Sequence, residues 1–179
     1  MMKQEFLLKD GRTALLRTPT EAEAEQYLDL LKALAKETPF MLWEPEELDG
    51  FTVKDEAAFI CSMNANPTVQ MIVCDVDGVL AGEGRIIWDP RNRIRHRGEI
   101  LFGIRKDFWG QGIARAMFDR IVKLSKENGI TQLELEVSAE NQRAAALYRK
   151  LGFRTTGTIP NALKYDNRTA DIHIMVRDI

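Results

Sequence analysis

Two glycines spaced by one residue, Gly110 and Gly112, sit in the run Trp109-Gly110-Gln111-Gly112-Ile113-Ala114, between a strand-like segment and a long amphipathic one. Such glycines let the backbone bend so that consecutive N–H groups point the same way. The helix that follows adds its unpaired first-turn N–H groups and the positive end of its dipole. The combination suits a phosphate or pyrophosphate; without a ligand it is a tight strand-to-helix turn. Two familiar fingerprints fail on residues. A Walker A loop needs Gly-Lys-Ser/Thr, which Ile113-Ala114-Arg115 does not supply, and a dinucleotide loop needs glycine where Arg115 stands.

A second constellation lies downstream. It reads Glu136-Val-Ser-Ala-Glu-Asn141 and continues Gln-Arg-Ala-Ala-Ala-Leu147-Tyr148-Arg-Lys-Leu-Gly152-Phe153. Asn141 opens a helical stretch, and Tyr148 follows seven residues later, two turns on and on the same face. A strand precedes the helix, so both polar groups belong near one strand end.

Together, WGQGIA, Asn141, Tyr148 and the Leu-Gly-Phe close resemble the GCN5-related N-acetyltransferase (GNAT) superfamily, of the bacterial small-molecule or N-terminal acetyltransferase type. The resemblance is carried by residues 69–155. The family's pyrophosphate loop is written Arg/Gln-x-x-Gly-x-Gly/Ala; Gly112 and Ala114 match, and Trp109 replaces the leading Arg or Gln. The resemblance implies an α/β fold with a central, mostly antiparallel sheet, splayed at the acetyl-CoA site and flanked by helices. It implies acetyl-CoA as co-substrate, no metal, and an amine acceptor that is a small molecule, an amino acid or a peptide N-terminus. Homodimerisation is a family tendency.

Carried onto this chain, the resemblance has Phe102, Gly103 and Ile104 pairing through backbone with the pantetheine arm and the acetyl carbonyl, an oxyanion-hole arrangement. Trp109, Gly110, Gln111, Gly112, Ile113 and Ala114 would hold the pyrophosphate. Asn141 would hydrogen-bond the pantetheine or a bridging water, and Tyr148 would protonate the leaving thiolate. The acceptor amine must shed a proton, so a base is wanted. Glu136 comes first, in a setting similar to that of the base of ribosomal-protein N-terminal acetyltransferases. Glu99 resembles the base of histone acetyltransferases, and Glu83 is third. Each also reads as a strand carboxylate facing solvent or in an ion pair, and a chain of waters would serve as well.

The elements that must position these residues follow from periodicity and turn chemistry. Thr13–Arg17 reads as a strand, and Thr20 caps a helix whose apolar positions Tyr27, Leu28, Leu31, Leu34 and Ala35 recur at helical spacing until Thr38-Pro39. Residues 40–50 read as an irregular acidic and aromatic connector. Thr52 with Asp55 approaches a capping box for a helix to about Ala65. Val69–Asp75 and Val79–Trp88 read as strands joined through Asp77-Gly78, with Gly82 and Gly84 implying a bulge or a close approach. Gly98–Arg105 is the next strand. A helix then runs to about Asn128 with Ile113, Met117, Ile121 and Leu124 on one stripe. Leu133–Val137, a helix over Asn141–Lys150, and strands at Phe153–Ile159 and Ala170–Arg177 complete the chain. One domain over 1–179 is expected: variable acceptor-side helices over 1–68, the acetyl-CoA-binding core over 69–155, and C-terminal strands over 156–179.

Composition narrows the classes. With 45% apolar and 29% charged residues in 179, the chain has enough apolar side chains for a full core and is not of a disordered type. Lys plus Arg number 25 against 27 Asp plus Glu, a balance that argues against dedicated nucleic-acid binding. The N-terminus has no apolar run of signal-peptide length, and the uncharged stretch 57–74 is broken by Ser62, Asn64, Asn66, Pro67, Thr68 and Gln70, so no membrane span is expected. A soluble cytoplasmic protein is the default expectation. Cys61 and Cys74 form no CxxC and read as core residues, and two histidines are too few for a His-rich metal centre.

Other clusters have two readings each. Arg91, Arg93, Arg95 and Arg97 would share one face at strand spacing and contact an anion such as the 3′-phosphate of CoA, or else form a solvated hairpin tip. Glu44, Glu46, Glu47 and Asp49, beside Phe40 and Trp43, would receive a cationic amine or simply be exposed. Leu163–Arg168 would form an opposite wall or a dimer contact between the last strands. His173, between Ile172 and Ile174, reads as a strand residue and not a catalyst. Two rivals to the enzyme remain at this stage: a non-catalytic acyl-CoA-binding or sensing module, which has no need of Tyr148, and a nucleotide-binding regulatory domain on the same loop.

Overall fold

The computed structural model describes residues 3–179. These form β1 (Lys3–Leu7), β2 (Thr13–Arg17), α1 (Ala24–Glu37), α2 (Pro45–Leu48), α3 (Val53–Ala65), β3 (Val69–Val76), β4 (Val79–Trp88), β5 (Arg97–Ile104), α4 (Ile113–Glu127), β6 (Gln132–Ser138), α5 (Gln142–Lys150), β7 (Arg154–Tyr165) and β8 (Arg168–Asp178), with single 3-10 turns at Glu21–Glu23 and Lys106–Phe108. The chain clusters into two compact units. One comprises the chain up to Ile87 with Leu101–Leu124, the other Trp88–Ile100 with Ser125–Ile179.

In the first unit β1, β2, β3 and β4 pair antiparallel in that order, with the later half of β5 beside β4. Asp77 and Gly78 both adopt positive φ (54° and 82°), the pairing a two-residue hairpin with the strands' own twist requires. Thr20 with Glu23 and Thr52 with Asp55 form capping boxes ahead of α1 and α3. Thr38, extended before Pro39, ends α1. Tyr27, Leu30 and Leu34 of α1, Ile60 of α3, Val69, Met71 and Val73 of β3 and Leu80 of β4 pack into one apolar cluster. The α4 stripe Ile113, Met117, Ile121 and Leu124 is buried as expected. Each such side chain contributes about 1.5–3 kcal/mol by leaving water.

Both readings of the β4 glycines hold. The β3–β4 register shifts between Cys74 and Asp75, opposite Gly82. A Cβ on Gly82 would lie 2.7 Å from the Gly103 carbonyl oxygen, and one on Gly84 would lie 3.1 Å from both Met117 Cε and Phe102 Cβ. Glycine thus lets β5 and α4 close on β4, and alternation turns Glu83 and Arg85 to the opposite face, toward α1 and α3.

In the second unit β6 pairs antiparallel with β8, and β8 with β7. The start of β5 runs parallel to β6 over only three residues, Arg97–Glu99 beside Gln132–Glu134, although β6 continues to Ser138. This is the mixed, mostly antiparallel sheet with flanking helices that the resemblance implied, and its parallel ladder ends early. No helix among the described residues is long and apolar enough to cross a membrane.

Several expectations are corrected. Lys3–Leu7, not read as a strand, forms an edge strand with mostly exposed side chains; without an apolar face it carries no period-2 signal. The connector 40–50 holds the short helix α2, whose box between Glu44 and Glu47 occupies part of the acidic cluster. Arg91–Arg97 is not strand-spaced. Asp89 Oδ1 accepts from the Arg91 N–H at 2.8 Å, and successive turns close through Ile94 and Arg95. The segment Leu163–Arg168 is the end of a longer hairpin; a bulge between Ile159 and Leu163, with Asn161 at φ 53°, carries β7 past Pro160. Cys61 is exposed on α3 rather than in the core, whereas Cys74 is buried.

Candidate functional site

The glycine loop in the first unit has the conformation its spacing implied. Gly110 and Gly112 have φ of 80° and 95°, and a Cβ built on either meets nothing within 4 Å. The loop runs directly into the first turn of α4, whose leading N–H groups have no helical acceptor. Four contacts fix its outline. The Trp109 indole N–H donates to the Ile104 carbonyl at 2.7 Å, and the Lys106 N–H donates to Glu37 Oε2 at the end of α1 at 2.6 Å. The Asp10 N–H donates to Gln111 Oε1 at 3.2 Å, and the Arg12 guanidinium lies 5.4 Å from the ring centre of buried Phe108. Trp109 thus closes the loop onto the end of β5, a job its indole does by hydrogen bonding and that no spacing rule announces.

Phe102, Gly103 and Ile104 end β5 half-buried. Gly103 lacks a side chain where Leu34 Cδ1 of α1 approaches to 2.8 Å of a Cβ position. The strand end is in this way pressed between α1 and β4, with the Gly103 carbonyl close to Gly82.

Asn141, expected as the first helical residue, is the N-cap of α5, which begins one residue later at Gln142, and its Oδ1 accepts from the Ala144 N–H at 3.1 Å. The amide oxygen is committed to the cap, which leaves the Asn141 Nδ2 as the group able to donate to a ligand. Tyr148 lies two turns on. The helix closes with Gly152 at φ 90°, the Phe153 N–H bonded to the Tyr148 carbonyl and the Gly152 N–H to that of Arg149, both within 3.0 Å. This double closure brings the Phe153 ring against Tyr148, 5.9 Å between centres and edge-on. The Leu-Gly-Phe close is therefore the device that seats Tyr148. Burial pushes the Tyr148 phenol up to about 12.

The three carboxylates differ in setting. Glu136 on β6 and Glu99 on β5 are exposed. Glu83 is buried, 6% exposed, and its Oε2 accepts a 3.1 Å hydrogen bond from the Tyr27 hydroxyl. Burial raises its proton affinity, and Arg85 and Tyr27 pull it back part of the way. Glu56 of α3 is also buried, and desolvation, then Glu83, raises its carboxyl. Arg85 completes the group with its guanidinium 5.7 Å from the Phe59 ring centre. Tyr27, Glu56 and Arg85 were not singled out in the sequence. Tyr27 sat in an apolar stripe, and Glu56 resembled an ordinary first-turn acid. The available signal was the Gly-Glu-Gly-Arg alternation of β4, which puts two charges on one face of an otherwise buried strand. Among the described residues, no three His, Cys, Asp or Glu side chains group as a metal site.

Comparison with known proteins agrees with this geometry. The model of the Acetyltransferase (GNAT) family matches residues 25–153. An acetyltransferase of Yersinia enterocolitica is 28% identical over 124 residues, 69% of this chain and 84% of that protein. The structure of an acetyltransferase of the GNAT family from Streptococcus pneumoniae superimposes with a TM-score of 0.84 at 24% identity, over 93% of this chain and 99% of that one. An acetyltransferase structure from Salmonella typhimurium with its cofactor acetyl-CoA gives 0.77 at 16% identity, over 91% and 92%. With the family model spanning most of its length, from α1 through the glycine loop to Phe153, this chain belongs to the GNAT acetyltransferase family.

Proposed function

We propose that the chain transfers an acetyl group from acetyl-CoA directly to a primary amine held beside it, with Tyr148 and a carboxylate handling the protons. Acetyl-CoA supplies a thioester carbonyl open to attack and a thiolate leaving group. The loop Trp109–Ala114 would hold its pyrophosphate through backbone N–H groups, Phe102, Gly103 and Ile104 would pair with its pantetheine arm and polarise the carbonyl, and the Asn141 Nδ2 would donate to the pantetheine.

The observation that carries catalysis beyond mere binding is buried Glu83 with its hydroxyl partner Tyr27. An amine attacks only as the free base, and a carboxylate with raised proton affinity is matched to accept its proton near neutral pH. The reading therefore gives the base to Glu83 ahead of the exposed Glu136 and Glu99. Tyr148 keeps its proton at all working pH values. With burial holding it at about 12, this phenol is a weaker acid than an ordinary thiol at about 8.5. Tyr148 accordingly acts by donating a hydrogen bond to the departing sulfur, and the proton taken from the amine neutralises the thiolate in the end.

Isothermal titration with acetyl-CoA, ATP and NAD, followed by CoA release with a panel of amines, tests this. Micromolar binding of acetyl-CoA alone, with turnover that Glu83→Gln and Tyr148→Phe reduce, is expected. Failure to bind acetyl-CoA sinks the reading; binding without turnover on any amine leaves an acyl-CoA-binding module.

A further inference from the structure

The group facing α1 and α3 from β4 is electrically incomplete. Glu83 and Arg85, two residues apart on one strand, project from the same face with Cα atoms about 6.6 Å apart. Glu56 joins them from α3, and Phe59, one turn further along that helix, carries the Arg85 guanidinium on its ring. Arg85 acts electrostatically on both carboxyl groups. Even so, among the described residues no ion pair joins it to either; the pairings of the first unit involve Arg12, Arg17, Lys32, Arg105 and Arg115. Two buried polar atoms in the group have no hydrogen-bond partner, Glu56 Oε1 and Arg85 Nε. A buried acceptor and a buried cationic donor left open within one group cost stability unless something completes both.

Resting on the acetyltransferase reading, we infer that the acceptor is a small zwitterion, an α-amino acid or a molecule with ammonium and carboxylate equally close, its amine at Glu83 and Glu56 and its carboxylate at Arg85. The chemistry excludes other amines in turn. A polyamine would satisfy the carboxyl groups but bring more positive charge to Arg85 and leave its Nε unmet. An apolar amine would satisfy Glu56 Oε1 but seal the Arg85 Nε away from water. A peptide N-terminus offers Arg85 a neutral carbonyl where a carboxylate would bond about twice as strongly.

The test compares α-amino acids with their carboxamides and their decarboxylated amines as acceptors, using the full chain and CoA release, beside titration of acetyl-CoA. The wild type is expected to favour the acid over its carboxamide by at least about 30-fold in kcat/KM, because a site built to hydrogen-bond a substrate group rejects the analogue that lacks it. Arg85→Met should collapse that preference to about threefold through KM for the acid, and Arg85→Lys should restore part of it. Unchanged acetyl-CoA affinity in both variants shows that the loop and fold persist. Equal use of acid and carboxamide by the wild type, or a preference that survives Arg85→Met, overturns the inference while the acetyltransferase stands. Absence of acetyl-CoA binding fells both.

Discussion

The Tyr27 hydroxyl donates a 3.1 Å hydrogen bond to Glu83 Oε2, and both residues are buried between α1 and β4. Burial holds the Tyr27 phenol well above its usual range, so that it is a donor at every working pH. Glu83 is thereby given one fixed partner in a setting whose burial raises its proton affinity. Charge is costly there, and the protein tolerates it at a position where the proposed reaction needs a base.

Glu83→Gln should therefore stabilise the fold in a pH-dependent way. A carboxyl group whose proton affinity is raised by folding contributes stability below its unfolded pKa and loses it as pH rises through the folded value. Glutamine keeps an acceptor for Tyr27 and never ionises. Thermal melts of the two proteins should coincide near pH 4. Toward pH 8 the variant should melt higher, by about 1.4 kcal/mol for each unit by which folding raises Glu83, while its turnover is lost. A variant less stable than wild type at pH 8 would show that Glu83 is charged and favourably paired.

Tyr27→Phe deletes only the hydroxyl. Its hydrogen bond lowers the Glu83 proton affinity, so its loss should raise it further. The acidic limb of the kcat/KM profile should move to higher pH by about one to two units, as expected for the loss of one hydrogen bond to a charged carboxylate. A profile that drops uniformly without shifting would separate Glu83 from the titration.

Phe153 is predicted to act through Tyr148. Tyr148→Phe should lower kcat by about 10- to 100-fold with acetyl-CoA affinity within about twofold. Phe153→Leu, which keeps an apolar side chain and costs about 1–2 kcal/mol of stability, should lower kcat in the same sense. It should also let the Tyr148 phenol, near 12 in the intact site, fall toward an ordinary tyrosine in an ultraviolet titration. No spectral shift would leave Phe153 a core residue only.

Much of this was legible because the physics is local. Gly110, Gly112 and Gly152 hold positive φ where spacing placed a bend or a cap, and Asp77-Gly78 turned as such pairs must. The apolar stripe of α4 came out buried as read. Less was legible where meaning depends on distant partners. Nothing near Trp109 in the chain says that its indole will bond Ile104, nor that Gln111 will reach Asp10 in the β1–β2 hairpin. Among three candidate bases, sequence context favoured Glu136. That Glu83 is the buried one of the three is a property of the assembled sheet. Cys61 was misread for the same reason, since its helix presents that position to water.

The glycine loop gives the sharpest separation of ligand binding from folding. Gly112 and Gly78 share positive φ, 95° and 82°, and at both a Cβ would enter open space. Alanine at either position meets the same backbone penalty, about 1–2 kcal/mol for a left-handed residue, with no steric clash to confuse the comparison. The two proteins should lose similar amounts of thermal stability. Gly78 turns the β3–β4 hairpin, whereas Gly112 bends the loop ahead of α4 that is proposed to hold the pyrophosphate. Gly112→Ala should therefore weaken acetyl-CoA binding by about tenfold or more, as a single lost or misdirected charge-assisted hydrogen bond does, and Gly78→Ala should leave it within about twofold. Titration calorimetry on the pair reads both numbers. Equal affinities would mean that the loop does not hold the pyrophosphate, whatever the stability of the two variants.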